Sequence, residues 1–326
     1  MHRRDFLKAA TLTSAGLMIP TSLNRPLWGA DEKKPVFRFV HLTDIHVQPE
    51  RGGSAGMTKC LQAVEALDPK PDFILTGGDL IYDAAGPAYD RGNKLFELYK
   101  QIIADNTEIP VHHCVGNHDV FGWSRKEELD TKYKLFGKGL MQDHLELEKT
   151  YHAFDHQGWR FYVLDSIQPT IEKRYKYTAG LDEEQLAWFQ ADLAAKPAET
   201  PAVVVTHIPI LTVTSFRKQP DLLGDDFYVA GGPTMFSNSL EMGKLLHQYN
   251  VKLALSGHLH EIDRIERGNV TYICDGAVCG GWWYGPNVDS GFEVQEGFGV
   301  IDIHSDGSFD HHYVDYGWNA EVQTKS

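Results

Sequence analysis

Five short stretches of the sequence carry carboxylate, amide and imidazole side chains next to apolar runs. In chain order they read HLTDIHV, LTGGDLIYD, VGNHDV, VVTHIPI and SGHLH. Their metal-capable residues are Asp44, His46, Asp79, Asn117, His118, Asp119, His207, His258 and His260. Each stretch alone is also typical of a turn, a helix cap or a buried histidine. The five together favour a metal site.

The kinds of donor indicate two metal ions. Carboxylate and amide oxygens together with four imidazoles supply enough ligands for two divalent ions, if one carboxylate is shared and each ion keeps room for solvent. Mixed oxygen and nitrogen ligands suit Mn, Fe or Zn. The sequence does not distinguish among these metals.

The stretch SGHLH places two imidazoles two residues apart. Along an extended backbone, His258 and His260 would point to the same side while Leu259 faces the core. Gly257 would let the backbone approach the site without a side chain in the way. The pattern therefore predicts one imidazole for each of two adjacent metals.

The elements that must position these residues are short apolar strands alternating with amphipathic helices. The predicted strands are residues 36–42, 72–76, 110–115, 160–165, 202–206 and 252–256. Helical spacing of apolar residues occurs over 57–64 and 95–103, and a third helix is predicted to begin at Asp182, with Gln185 at capping-box distance. This alternation is typical of α/β layers. Because loops after the carboxyl ends of strands form the crevice of such sheets, we expect the five stretches to meet at one rim.

The chain is long enough for one large domain. It has 326 residues, of which 42% are hydrophobic, and this supports a sizeable core. The runs VTYIC, FGVIDI and FDHHYVDY predict antiparallel strands in a C-terminal sheet. We therefore predict one domain over residues 31–326, with a β-rich part from about residue 261.

The first thirty residues differ from the rest. Arg3 and Arg4 precede Phe6 and a moderately apolar stretch that is too short to span a bilayer. The order Arg-Arg-x-Phe-Leu-Lys resembles the twin-arginine export signal. We expect residues 1–30 to be a signal peptide read by the twin-arginine export machinery, with a periplasmic or otherwise extracytoplasmic mature protein. A basic N-terminal tail is the alternative.

The charge and the cysteine content argue against a nucleic-acid-binding protein and against a disulfide-rich protein. The formal net charge is −14 and no run of basic residues occurs, so we expect no nucleic-acid partner and no binding to an acidic membrane surface. Because the apolar N-terminal stretch is too short to span a bilayer, we also expect no stable membrane anchor. The cysteines are Cys60, Cys114, Cys274 and Cys279. They are too few and too scattered for a disulfide framework or a zinc site, so we predict core thiols, with a Cys274–Cys279 bridge as the alternative.

The ordered series Asp-x-His, Gly-Asp, Gly-Asn-His-Asp, His and Gly-His-x-His resembles the calcineurin-like metallophosphoesterase superfamily. The resemblance spans residues 44–260 and implies an α/β fold, a four-layer sandwich of two mixed sheets flanked by helices. It implies one metal held by Asp44, His46, Asp79 and His260, and a second held by Asp79, Asn117, His207 and His258. His118 would lie near the leaving-group oxygen and act catalytically.

The implied reaction is hydrolysis of a phosphate ester of a small molecule. Two divalent ions about 4 Å apart can each bind a phosphate oxygen and lower the pKa of a shared water toward neutrality. A hydroxide bridging the metals is then the expected nucleophile. His118 would protonate the leaving oxygen, and Asp83 is a weaker candidate for orienting His118.

Departures from the family pattern narrow the substrate class. The superfamily's protein Ser/Thr phosphatases read Gly-Asp-x-x-Asp-Arg-Gly, whereas this chain reads GDLIYDAAG. Tyr82 resembles the metal-bound tyrosine of purple acid phosphatases, but His46 departs from their first block, so a pocket wall is the favoured interpretation for Tyr82. Asp-x-His together with Gly-Asp-Leu looks most like the cyclic-nucleotide phosphodiesterase branch. A phosphodiesterase is therefore favoured, with a phosphomonoesterase or a non-catalytic metal- and phosphate-binding homologue as alternatives.

Some aromatic residues and further histidines have two interpretations each. Trp282, Trp283 and Tyr284, in GGWWYGP, could stack on a base or sugar, or pack the C-terminal strands. Trp123 could line the rim or the core. For the histidine pairs at 112–113 and 311–312 we expect structural roles, because a strand sends neighbouring residues to opposite faces.

Overall fold

The computed structural model describes residues 34–86, 89–123, 135–170, 177–215, 232–288 and 292–318. Within these ranges the helices are α1 (Gly53–Glu65), α2 (Tyr89–Asn106), α3 (Gly139–Leu145), α4 (Glu183–Ala195) and α5 (Ser239–Gln248). The strands are β1 (Phe37–Leu42), β2 (Phe73–Thr76), β3 (Val111–His112), β4 (His152–His156), β5 (Trp159–Val163), β6 (Ile167–Pro169), β7 (Tyr177–Ala179), β8 (Ala202–Val205), β9 (Val251–Ser256), β10 (Ile262–Arg267), β11 (Val270–Asp275), β12 (Gly297–Ile303) and β13 (Phe309–Asp315). Two 3-10 turns, Glu50–Gly52 and Asn117–Asp119, accompany them.

The strands form two large mixed sheets. One has five strands in the order β13-β12-β1-β2-β3, and the other has six in the order β10-β11-β9-β8-β5-β4. In the first, β1, β2 and β3 are parallel, and β12 is antiparallel to both of its neighbours. In the second, β5, β8, β9 and β11 are parallel, with antiparallel edge strands β4 and β10. Strands β6 and β7 form a small separate antiparallel sheet.

The two large sheets pack face to face through apolar side chains that alternate along the strands. Phe39 of β1 stacks on Phe73 of β2 with ring centroids 5.2 Å apart. Phe161 of β5, in the other sheet, meets the ring of Phe39 edge to face at 5.4 Å. Val203 and Val205 of β8 belong to the same buried cluster. Alternate residues of these strands face the helices instead, as the two-residue period requires.

Helices cover the outer faces. Val64 of α1 and Phe96 of α2 are fully buried in a cluster that includes Val40 of β1. On the other side, Phe189 of α4 packs edge to face on Tyr162 of β5 at 4.9 Å. This arrangement confirms the predicted fold of two mixed sheets flanked by helices.

The cap predicted for the third helix is also present. The side chain of Asp182 accepts a hydrogen bond from the Gln185 backbone N–H at 2.8 Å, immediately before α4 begins. A satisfied N-terminal donor of this kind stabilises the first turn.

Some elements differ from the sequence-based prediction. Strand β3 has two residues where 110–115 was predicted, because the Cys114 N–H donates to the Thr76 hydroxyl at 3.0 Å and leaves the ladder. Strand β4 was not predicted. The prediction of a C-terminal sheet was wrong: β10 and β11 extend the six-stranded sheet, and β12 and β13 extend the five-stranded one.

The proposed signal peptide, residues 1–30, lies outside the described residues. Among those described, no helix is both long and apolar enough to cross a bilayer. All four cysteines are buried free thiols, which agrees with the predicted core role and excludes the Cys274–Cys279 bridge.

Candidate metal centre

The five predicted stretches follow the carboxyl ends of parallel strands and meet at one edge of the sandwich. Strands β1, β2 and β3 lead into the stretches with Asp44, Asp79 and Asn117. From the other sheet, β8 leads to His207 and β9 leads to His258. The site therefore lies where loops of both sheets converge, as the α/β pattern predicts.

Most of the candidate ligands have an unusual backbone conformation. Positive φ angles occur at Asp44 (52°), His46 (45°), Asp79 (54°), His258 (70°) and His260 (53°). Non-glycine residues rarely occupy this left-handed region, and such strain concentrates at functional sites. His258 and His260 therefore do not reach the site through alternation on an extended strand, as the sequence suggested. Left-handed turns after β9 place them there.

One half of the cluster contains Asp44, His46, Asp79 and His260. Asp44 Oδ1 lies 3.2 Å from His260 Nε2 and 3.9 Å from His46 Nε2. His46 Nε2 lies 3.4 Å from Asp79 Oδ2 and 3.3 Å from His260 Nε2. These four side chains are the set that the resemblance assigns to one metal.

The other half contains Asp79, Asn117, His207 and His258. His207 Nε2 lies 3.2 Å from Asp79 Oδ2, 3.1 Å from Asn117 Oδ1 and 3.2 Å from His258 Nδ1. Asp79 Oδ2 is therefore close to ligand atoms of both halves. This position matches the bridging carboxylate expected from the sequence.

Hydrogen bonds to the backbone orient the imidazoles. His207 Nδ1 donates to the Gly77 carbonyl at 2.8 Å, and His260 Nδ1 donates to the Gly280 carbonyl at 2.6 Å. A neutral imidazole that donates from Nδ1 carries a lone pair on Nε2. In their neutral forms, both residues thus direct the Nε2 lone pair into the cluster.

The donor set fits cations. Lone pairs of His260 and His46 face each other at 3.3 Å, an arrangement in which neither atom can donate if both rings keep their proton on Nδ1. When His260 carries its proton on Nδ1, the buried Asp44 Oδ1 has no hydrogen-bond donor, although His260 Nε2 lies 3.2 Å away. Buried acceptors that converge without donors are unfavourable unless a positive ion lies among them.

The pKa values reflect the same electrostatics. Burial lowers the pKa of His46 and of His258 to about 3, so both are neutral and able to bind a metal. Burial also opposes a charge on His207, but Asp79 beside it raises the pKa of His207 to about 9. The carboxylates therefore favour positive charge in the cluster, which a proton or a metal ion can supply.

His118 lies beside the cluster. Its ring meets the His46 ring edge to face at 4.9 Å, and 26% of its side chain is exposed. His118 Nδ1 is 3.5 Å from Asp83 Oδ1. Burial lowers the pKa of His118, but Asp79 and Asp83 raise it above the ordinary value. The structure thus places Asp83 where an orienting residue would be.

Two glycines permit the close backbone approaches. A Cβ on Gly257 would lie 1.8 Å from Thr43 Oγ1 and 2.2 Å from Asp44 Oδ2. A Cβ on Gly116 would lie 2.1 Å from the Asp79 side chain. The expectation for Gly257 is confirmed, since the His258 N–H uses this approach to donate to Asp44 Oδ2 at 2.8 Å.

Some side chains at or near the donor cluster are not among the predicted ligands. The Tyr82 hydroxyl is 3.5 Å from Arg51 Nη1, so Tyr82 forms a wall. The Cys279 thiol is 3.9 Å from His260 Nδ1 and lies close enough to His46 and His260 to join a metal-binding group, but burial raises its pKa above the ordinary value and favours the neutral thiol. His112 stacks on Phe154 at 3.7 Å.

The other histidines and tryptophans with two interpretations have packing roles in the structure. His113 contacts the Tyr99 hydroxyl at 3.2 Å, and Trp123 packs against the core. His311 faces inward to Asp275 at 2.9 Å while His312 is exposed, so the two point to opposite faces as expected. Trp283 is 1% exposed and belongs to the core.

Two further residues shape the surroundings of the site. Asp119 accepts backbone hydrogen bonds from Leu80 at 2.9 Å and from Gly116 at 2.8 Å, and so holds two of the ligand-bearing loops together. Arg51, in the 3-10 turn before α1, reaches Tyr82. Asp119 belongs to the predicted Gly-Asn-His-Asp stretch, but its role in holding the loops together was not predicted. Arg51 belongs to none of the five stretches. Both residues act through contacts distant in sequence.

Comparison with known proteins gives one family. The pattern of the calcineurin-like phosphoesterases matches residues 37–261. A 3',5'-cyclic-nucleotide phosphodiesterase from Nostoc sp. is 24% identical over 290 residues, which cover 86% of this chain and 92% of that protein. A serine/threonine-protein phosphatase from Homo sapiens is 26% identical over 204 residues, covering 62% of this chain and 57% of that protein.

A solved structure supports the fold. GAP50, the anchor in the inner membrane complex of Plasmodium, superposes with a TM-score of 0.52 at 16% identity, covering 88% of this chain and 86% of that one. At this identity the likeness shows the architecture alone.

Proposed function

Because the chain belongs to the calcineurin-like phosphoesterase family, we propose that it is a phosphodiesterase of small-molecule phosphate esters that uses two divalent metal ions. The observation that carries this proposal is the donor cluster. Seven oxygen- and nitrogen-bearing side chains from five loops converge, and buried lone pairs face one another without donors. Such a cluster suits a pair of cations.

The ligands follow from the two halves of the cluster. Asp44, His46 and His260 would hold one ion, and Asn117, His207 and His258 the other, with Asp79 shared. Bound there, two divalent ions supply Lewis acidity and an activated water at neutral pH. Mn, Fe and Zn all suit this mixture of donors.

The chain's own contribution to bond cleavage is assigned to His118. Its Nδ1 faces Asp83, so Nε2 is the atom available to protonate the leaving oxygen. Asp79 and Asp83 raise the pKa of His118, although burial opposes this, and so favour the protonated form that a general acid needs. Asp83 acts as a positioning residue, because it touches His118 rather than the substrate.

Hydrolysis of diesters is favoured over hydrolysis of monoesters by the lengths over which the relatives align with this chain. The cyclic-nucleotide phosphodiesterase aligns over 92% of its own length, whereas the phosphatase aligns over 57%. A phosphomonoesterase is the second candidate, because a named phosphatase is nevertheless among the relatives.

Hydrolysis of two chromogenic esters tests the function. Protein purified with added manganese should cleave bis(p-nitrophenyl) phosphate faster than p-nitrophenyl phosphate, and Asp79→Ala should lose both the metal and the turnover. Faster cleavage of the monoester would favour the phosphatase. Absence of turnover with either ester in metal-loaded protein would favour a non-catalytic homologue.

We further propose that the protein is exported by the twin-arginine route. The support is the Arg3-Arg4 sequence followed by a short apolar stretch. Replacing both arginines by lysine should retain the full-length protein in the cytoplasm, measured by cell fractionation and immunoblotting. Unchanged export of that variant would contradict the proposed route.

A further inference from the structure

One wall of the candidate metal centre is the indole of Trp282. Its ring centroid lies 4.0 Å from that of His46, 4.9 Å from that of His118 and 5.2 Å from that of His260. Trp282 is only partly buried. Its neighbour Trp283 is in the core, where Nε1 donates to the His46 carbonyl at 3.0 Å. The buried tryptophan thereby fixes the position of the partly exposed one.

The backbone at this wall is strained. Trp282 and Trp283 have φ angles of 63° and 65°, and both are bulky residues for which the left-handed region is unfavourable. Strain of this kind persists only where the surroundings enforce it, and it is common at ligand-binding positions.

Next to Trp282 a guanidinium is held between aromatic rings. The Arg51 Cζ atom lies 3.8 Å from the centroid of Tyr284 and 5.4 Å from that of Tyr82. Arg51 Nη1 is 3.4 Å from the Trp282 carbonyl and 3.5 Å from the Tyr82 hydroxyl. Cation–π contacts of this kind hold a guanidinium in place.

The charge of Arg51 has no acidic partner in the part of the chain that the structure describes. No carboxylate oxygen there lies within 4 Å of its guanidinium, and the neighbouring Glu50 pairs with Arg91 at 2.7 Å instead. The two polar contacts that Arg51 makes with the described residues both use Nη1. In a protein of net charge −14, this leaves a fixed cation beside the site with its Nε and Nη2 donors available.

The geometry suits a flat ligand with two adjacent acceptors. The rings of Trp282 and Tyr284 offer stacking surfaces, and bases of any kind stack favourably on aromatic side chains. The Nε and Nη2 hydrogens of arginine point in parallel, which matches the O6 and N7 acceptors on one edge of guanine. Adenine presents a donor beside N7 and cannot accept both hydrogen bonds.

We propose that Arg51, Trp282 and Tyr284 bind the base of a nucleotide diester and select guanine over adenine. This inference builds on the proposed function, since the phosphate of the same molecule would lie at the metal centre. Arg51 is therefore a specificity residue, whereas His118 and the metal ligands serve any phosphate diester.

Kinetics with matched substrates test the inference. Manganese-loaded protein should hydrolyse cyclic GMP with a kcat/KM about tenfold higher than cyclic AMP, the discrimination expected of one bidentate arginine contact. Arg51→Lys keeps the positive charge but removes the pair of parallel donors. It should reduce the ratio of the two kcat/KM values to about one, mainly by raising KM for cyclic GMP. Cleavage of methyl p-nitrophenyl phosphate, which has no base, should change less than twofold.

Arg264→Ala is the matched control. Arg264 also lies over an aromatic ring, that of Phe309 at 5.8 Å, but it is on strand β10 and pairs with Glu266 at 2.9 Å. Trp282→Phe keeps a stacking ring and should preserve the guanine preference. If it does, a change in this wall does not by itself abolish the preference, and its loss in Arg51→Lys is due to the arginine rather than to a disrupted fold. A preference unchanged in Arg51→Lys, or absent in the wild type, would overturn the inference.

Equilibrium binding separates this inference from the proposed function. Titration calorimetry with GMP and AMP measures base selection in metal-loaded protein without turnover. Tighter binding of GMP that is lost in Arg51→Lys, in a protein that cleaves no diester, would refute the catalytic function and support the base site. Diester cleavage with equal affinities for GMP and AMP would support the catalytic function and refute the base site.

Discussion

At the scale of single residues, the site separates metal binding from proton transfer. His118 lies against the His46 ring, but its side-chain nitrogens are not among the facing donor atoms of the cluster. Its neighbour Asn117 instead turns Oδ1 towards His207. Adjacent residues of one motif thus serve different purposes, and substitution can distinguish them.

Removing the imidazole of His118 should slow the reaction without emptying the site. We expect His118→Ala to lower kcat for bis(p-nitrophenyl) phosphate by roughly 10² to 10⁴, the usual contribution of a general acid. Metal content, measured by elemental analysis, should be unchanged. The exposed His312→Ala is the control. Equal turnover in His118→Ala and wild type would remove His118 from the mechanism.

The two histidines of SGHLH should not be interchangeable. His260 lies with Asp44 and His46, and His258 lies with His207. His258→Ala and His260→Ala should therefore each retain about one metal ion per chain, and the double variant none. If either single variant already lacked both ions in elemental analysis, independent sites would be excluded.

At the scale of elements, the loops after the strands are connected by buried polar contacts between the sheets. Asp275, at the end of β11, is fully buried and accepts from His41 Nδ1 of β1 at 3.0 Å and from His311 Nε2 of β13 at 2.9 Å. The carboxylate of one sheet is thus held by imidazoles of the other. Burial raises the pKa of Asp275, but these two histidines lower it to about 2.

This depressed pKa makes a pH-dependent contribution to stability. Because the folded-state pKa lies below the unfolded value, the contribution is complete above about pH 5 and is lost as the pH falls from about 4 towards 2. We expect Asp275→Asn to lower the free energy of unfolding by about 2 kcal/mol at pH 7.

Urea unfolding of metal-free wild type and Asp275→Asn at several pH values measures this difference. The difference in the free energy of unfolding between the two proteins should shrink as the pH approaches 3. A difference independent of pH would show that the carboxylate charge is not responsible. Asp310→Asn is the control, since the Asp310 side chain is 62% exposed and pairs with His304 at the surface.

At the scale of the whole molecule, the candidate metal centre joins the two sheets. Asp44, Asp79 and Asn117 follow strands of the five-stranded sheet, and His207 and His258 follow strands of the six-stranded sheet. Ions bound by all of them would cross-link the sandwich at one edge. Metal binding to the folded state alone stabilises it by mass action.

Chelation should therefore destabilise the protein as well as inactivate it. At a free metal concentration 100 times Kd, a bound ion contributes about 2.7 kcal/mol. EDTA should lower the Tm of the wild type by several degrees in calorimetry, and manganese should restore it. Asp79→Ala should show no such response. A wild-type Tm indifferent to EDTA would contradict a cross-linking metal centre.

The sequence by itself determined the architecture class, the family and the members of the donor cluster. It could do so because side-chain type, apolar periodicity and the order of motifs are local properties, and because strand ends in an α/β sheet share an edge. Asp44 and His260 could be paired as candidates although they lie far apart in the chain.

Only the tertiary structure decided how these residues meet. Left-handed backbone at Asp44, His46, Asp79, His258 and His260 is imposed by loop packing, and no local pattern reports it. The same holds for the division of the last four strands between two sheets and for Arg51 beside Trp282. These features depend on contacts between distant segments, whose free energy outweighs local conformational preference.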